Sequence, residues 1–177
     1  KGLIILVNFK DVKFGRTHTR TMFDNIANKI GFTNSLGFKG SVKDYFLAQS
    51  NGQFELDFDV VGPYTLSQNM AYYGAHSKDG LQDVKPGHMI LEACQMADKD
   101  VNYKDYDWDG DGEVDQVFVI YAGFGEADGG SEDTIWPHES QLSTWVSKPY
   151  ETKDGVSVNT YACGNENTYD MLGRSRI

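Results

Sequence analysis

The chain opens with an unbroken apolar and β-branched run, Leu3-Ile4-Ile5-Leu6-Val7. A strand this uniformly apolar suits burial on both faces, so residues 2–9 read as a central strand of an α/β sheet, with Asn8 and Lys10 marking its exit. From Thr21 to Ile30 the rhythm changes: Met22, Phe23, Ile26, Ala27 and Ile30 recur at helical spacing, and Gly31 follows as a stop signal. A second helix begins after Ser41, which can cap free backbone donors while Asp44, three positions on, favours the positive helix end. Its apolar stripe is Val42, Tyr45 and Phe46.

Ser50-Asn51-Gly52 turns the chain into Phe54-Glu55-Leu56-Asp57-Phe58-Asp59-Val60. This strict alternation predicts a strand with one wet face, ended by Gly62-Pro63. Residues 64–87 show no sustained period and read as an aromatic-rich ordered loop. Pro86 then introduces a helix over about 87–99, with Met89, Ile90, Ala93, Met96 and Ala97 on one side. An acidic loop follows, then a strand at Val117-Phe118-Val119-Ile120-Tyr121, a glycine-rich acidic stretch at 123–133 and a last strand over 156–162.

At 177 residues the chain holds one ordinary domain with a sizeable core. Its net charge of −10 would repel a phosphate backbone, so nucleic acid is not an expected partner. The longest apolar run is far below the roughly 18 residues of a membrane span. A start directly at a strand suggests that a signal and pro-segment have been removed. Cys94 and Cys163 could form one disulfide or remain buried thiols, and the sequence leaves both open.

The clearest chemical signal is Asp107-Trp108-Asp109-Gly110-Asp111-Gly112-Glu113-Val114-Asp115. Counting Asp107 as position 1, carboxylates fall at positions 1, 3, 5 and 9, with a glycine at 6 that permits a sharp turn. Calcium takes six to eight oxygen ligands, and a tightly wrapped chain delivers them at alternate positions. Asp107, Asp109, Asp111 and Asp115 are therefore candidate Ca2+ ligands, with Glu113 contributing through its backbone carbonyl. A solvated acidic turn is the bland alternative, but four crowded carboxylates repel one another unless a cation neutralises them. The loop departs from an EF-hand at position 12, where Phe118 replaces the bidentate glutamate. Asp105 ranks below the others as a ligand or a solvated neighbour.

Other candidates are weaker. His138-Glu139 invites a zinc reading, yet the fifth position of H-E-x-x-H is Leu142, and Pro137 disfavours a helix there. A packed or hydrogen-bonded loop histidine is the expectation for His138. His18, His76 and His88 lack a second ligand at metal spacing and read as surface histidines. The glycines at 123–130 lack the lysine of a phosphate loop and carry two carboxylates, which fits a rim loop. No serine or cysteine sits in a nucleophile motif.

Several stretches together resemble the immune-inhibitor-A-like metallopeptidase family: Lys1 to Phe9, Gly40 to Phe46, Gly52-Gln53-Phe54, Val60 to Pro63 and Tyr72-Tyr73-Gly74. The resemblance continues through Asp105 to Gly123, Gly125-Glu126, Thr134 to Glu139 and Tyr161-Ala162-Cys163, with Asp107–Tyr121 and Ile135–Glu139 its most specific parts. It implies a secreted or cell-surface bacterial zinc endopeptidase acting on protein substrates, with a zincin-like mixed β-sheet packed with helices. Residues 1–177 would be the N-terminal, upper part of one catalytic domain, ending before the helix that carries H-E-x-x-H and binds Zn2+.

On this reading the chain is a scaffold fragment, inactive alone, whose partner is the remaining C-terminal part of its own domain. The resemblance further implies that zinc-polarised water, deprotonated by the helix glutamate, attacks a peptide carbonyl. The rim near Gly123–Gly130, or the strand before it, is expected to line the cleft. The competing class is a non-catalytic, calcium-dependent binding or adhesion module, distinguished by whether H-E-x-x-H follows in the same reading frame.

Overall fold

A computed structural model describes residues 1–35, 37–78, 80, 83–169 and 175–177. Its centre is a mixed sheet in the order β2-β1-β4-β8-β5, built from β1 (Gly2–Asn8), β2 (Phe58–Thr65), β4 (Val117–Phe124), β8 (Thr160–Tyr169) and β5 (His138–Gln141). The first four are parallel, and β5 runs antiparallel to β8 at one edge. A short β9 (Ser175–Arg176) pairs with the end of β8. A second small sheet joins β3 (Glu113–Val114), β7 (Ser157–Val158) and β6 (Tyr150–Glu151). The protein is thus α/β, with a mixed sheet packed against helices.

The opening apolar run forms β1, flanked on both sides by parallel neighbours, as its composition requires. Its side chains divide by parity. Leu3, Ile5 and Val7 join Val117, Val119, Tyr121, Tyr161 and Cys163 on one face, under α4 (Pro86–Ala97). Ile4 and Leu6 point the other way, to Phe23 and Ala27 of α1 (Arg20–Asn28). The two helices lie on opposite faces because β2 and β4 lie on opposite sides of β1, and right-handed crossovers stepping in opposite directions leave the sheet on opposite faces.

Those faces are unequally covered. The α4 face forms an extended buried core that also takes in Met70, Tyr73, Tyr103, Ile135 and Leu142. On the α1 face Ile4, Leu6, Phe23, Ala27 and Val60 form a smaller buried cluster, and Phe118 stays 36% exposed over Gly164. Beside Phe118 two apolar grooves of about 450 and 680 Å3 run between the sheet, α1 and α2 (Val42–Gln49).

Local signals explain most boundaries. Thr19 caps α1, whose last residue is Asn28, so Ile30 falls outside the helix and is 59% exposed. Ser41 and Asp44 form the anticipated reciprocal capping box of α2. Of the stripe expected to be buried, Val42 and Tyr45 are exposed, while Phe46 is half-buried against Phe54. The alternating segment at 54–57 is not a strand, and β2 starts at Phe58 and continues through Gly62-Pro63 to Thr65. Proline is tolerated because β2 is the sheet's edge, and the register shifts opposite Ile5 to Val7.

Within the expected loop 64–87, α3 (Met70–Gly74) forms, and Asp79, Leu81 and Gln82 lie outside the described residues. The expected last strand at 156–162 divides at Asn159, its second part becoming the long β8. Asp170 to Arg174 also lie outside the described residues.

Candidate functional site

The acidic loop runs from a single 3-10 turn at Tyr103–Tyr106 into β3. Its conformation is set by its own carboxylates. Asp107 accepts from the backbone N–H of Gly110 at 2.8 Å and of Gly112 at 3.0 Å, Asp109 from Asp111 N–H at 3.1 Å, and Asp111 from Glu113 N–H at 2.8 Å. Gly110 and Gly112 adopt φ of +78° and +90°, the left-handed region where a side chain would be strained. The wrapping places one carboxylate oxygen each of Asp107, Asp109 and Asp111 within 4.8 Å of the others. These oxygens are hard donors of the class Ca2+ prefers.

The other two candidates sit apart from that triplet. Asp115 accepts from the Trp108 N–H at 2.6 Å, and the Glu113 carboxylate lies 3.5 Å from the Thr160 hydroxyl, leaving its backbone carbonyl as its possible donor. Asp105 is engaged by the Asn102 amide at 3.0 Å. Trp108 ties the loop to the start of β1 by donating its indole N–H to the Lys1 carbonyl. The loop is therefore a staple between the first strand, the small sheet and β4.

At the β5 edge of the sheet a cleft of about 560 Å3 opens, lined by His76, Asp83, Glu126, Trp136, His138 and Glu139 among others. Gly123 lies near the end of β4, which is held between β1 and β8 and so has no free edge for a peptide to join. Of the sheet's two edge strands, β2 and β5, it is β5 that runs along this cleft. Glu126, within the expected rim stretch, does line this cleft. Close packing shapes the wall: a Cβ on Gly74 would lie 2.7 Å from the Thr134 carbonyl carbon, so the bare backbone of α3 lies against the β4–β5 connection.

His138 starts β5 rather than lying in a loop. Its ring nitrogens meet the Trp136 carbonyl at 2.7 Å and the Tyr161 hydroxyl at 2.8 Å, the hydrogen-bonded role expected of it. Along a strand His138 and Glu139 point to opposite faces and cannot share one ion. The 177 residues contain no H-E-x-x-H, and this pair does not fit a peptidase zinc centre.

His18 and His76 are not surface histidines. Each is partly buried, His18 against Glu166 and His76 against Glu126. Sequence spacing could not reveal these pairs, because their partners lie 148 and 50 positions away. Cys94 and Cys163 are separate buried thiols, not a disulfide, and burial pushes each up to about 12. Among the described residues no helix is long and apolar enough to cross a membrane.

Comparison with known proteins places this architecture. The chain is 26% identical over 192 aligned positions to the pre-pro-metalloprotease PrtV of Vibrio cholerae serotype O1 (strain M66-2), covering 90% of this chain and 20% of that protein. It is 27% identical over 221 aligned positions to Immune inhibitor A of Bacillus thuringiensis subsp. alesti, covering 94% of this chain and 32% of that protein. It thus spans between a fifth and a third of the length of these relatives. Residues 1–170 match the family described as immune inhibitor A peptidase M6, catalytic domain, and the chain belongs to that peptidase family.

Proposed function

We propose that this chain is the scaffold part of a secreted, zinc-dependent metalloendopeptidase. The observation that carries the reading is the antiparallel edge strand β5, whose outer edge is unpaired in the sheet and faces a cleft. An extended peptide can add to such an edge through backbone hydrogen bonds that ignore sequence, which suits digestion of varied protein substrates. The family supplies the hydrolytic chemistry, and zinc with its H-E-x-x-H helix belongs to the rest of the catalytic domain.

The under-covered α1 face supports the same division of labour. Phe118, Val42 and the grooves beside them offer apolar area that solvent disfavours, and the remaining part of the domain is the occupant we assign to it. The acidic loop, as a Ca2+ site, holds the start of β1 and the start of β4 in place at the far end of the sheet. The localisation we assign is extracellular, where calcium is plentiful.

The test is casein digestion by the full-length protein containing this chain. The expected result is cleavage that stops with a chelator and returns with Zn2+. Absence of cleavage, or cleavage indifferent to chelation, would overturn the reading.

A further inference from the structure

We propose that His76, Asp83 and Glu126 form a binding site for a divalent first-row transition cation of the zinc or manganese class, pinning two loops together at the rim of the β5 cleft. The three residues come from separate places in the chain, yet one potential ligand atom from each lies within 4.8 Å of the others. None belongs to the acidic loop.

The backbone presents two of the three as a pair. His76 and Asp83 form an isolated antiparallel bridge, flanked by Val84 N–H to Ala75 carbonyl at 3.0 Å and Lys85 N–H to Tyr73 carbonyl at 2.9 Å. Residues opposed in this way carry their side chains on one side, close together. Glu126 arrives from the β4–β5 connection, held by its N–H to the Ile135 carbonyl at 3.2 Å. Asp83 already reaches that connection through the Trp136 N–H at 2.9 Å, which orients its carboxylate toward the cluster.

The spacing suits a small cation. His76 Nε2 and Glu126 Oε2 are 3.0 Å apart. Neighbouring ligands on an ion with bonds of about 2.1 Å are separated by roughly 3.0 to 3.4 Å, from octahedral to tetrahedral geometry. An imidazole with two carboxylates favours zinc or manganese over Ca2+, whose ligands are oxygen.

Charge points the same way. Glu126, Asp83 and Glu132 act together on the one imidazole of His76, which carries at most a single positive charge. Among the described residues no lysine or arginine pairs with any of these carboxylates. Beside the hydrogen-bonded His76–Glu126 pair the Asp83 carboxylate has the Trp136 N–H as its donor, and a divalent ion between the three would neutralise the group.

The experiment compares zinc content, by mass spectrometry of the metal after equilibration with trace Zn2+ and gel filtration, in the protein and its His76→Gln, Glu126→Gln and His88→Gln variants. A zinc held elsewhere in the full-length protein adds equally to all four, so the difference between them is the readout. The expected result is one equivalent lost in the first two variants and none in the His88 control. Zn2+ titration should show affinity at that site weakened by at least about tenfold, the scale that disturbing even an outer partner of a zinc ligand produces. Far-UV circular dichroism without metal establishes that each variant is folded, and either variant alone suffices. Equal zinc in all four proteins would overturn the proposal, as would variants that retain their zinc but bind arginine-containing peptides less well, which would make the cluster a pocket for basic side chains.

Discussion

The imidazole of His18 is hydrogen-bonded through Nδ1 to the carboxylate of Glu166, a side chain only 1% exposed in the middle of β8. The same carboxylate accepts from Gly15 N–H at 2.7 Å and Gly123 N–H at 2.8 Å. One residue thereby joins the β1–α1 connection, the end of β4 and the centre of β8. Removing a partner from a buried charged network costs about 3 to 5 kcal/mol. Glu166→Ala is expected to cost about 3 kcal/mol, and His18→Ala less, because Glu166 keeps two backbone donors. Urea unfolding of both variants checks the ranking, and equal losses would count against the network.

Calcium should stabilise the fold through the acidic loop. Binding to the native state alone contributes about 2.7 kcal/mol at a hundredfold excess over Kd. Asp107→Asn and Asp111→Asn keep the side-chain shape but remove a charge, and each is expected to abolish the rise in Tm that Ca2+ produces over a chelator. A full shift surviving in both variants would rule out this site.

The apolar α1 face predicts a context-dependent substitution. In the full-length protein Phe118→Ala is expected to cost about 3 kcal/mol, the low end for a covered aromatic side chain. If the face stays solvated there, thermal unfolding will register almost no change.

Asp44 gives a pH signature. Its carboxyl lies below the usual range chiefly because it accepts the Ser41 N–H, with a second N–H from Gly31. A depressed folded-state value means that its stabilisation is complete above the ordinary value of 3.8 and fades as pH falls through the lowered one. The Tm difference between the protein and Asp44→Asn should therefore be constant near neutrality and shrink in acid below that value. A difference that grows in acid would contradict the capping role.

The two thiols should be inert in the folded state. Cys94 and Cys163 are buried, with burial pushing both up to about 12, so almost no thiolate exists at pH 8. A colorimetric disulfide reagent is expected to titrate neither until denaturant is added, then both.

What the sequence determined by itself was whatever rests on neighbours in the chain. Leu3 to Val7 declared a doubly covered strand, Ser41 with Asp44 declared a helix start, and Asp107 to Asp115 declared a tight acidic turn, because periodicity, capping and loop wrapping are local physics. Only the tertiary structure decided the order of the strands, and with it that β2 and β5 are the edges. The short polar β5, His138-Glu139-Ser140-Gln141, has no apolar rhythm and exists because β8 pairs with it. The fate of the α2 stripe was likewise hidden, since burial depends on what packs against Val42 and Tyr45 and not on their spacing. His18 with Glu166, and His76 with Asp83 and Glu126, meet only once the sheet and its loops are folded, because a side-chain cluster drawn from distant segments leaves no spacing for a sequence to show.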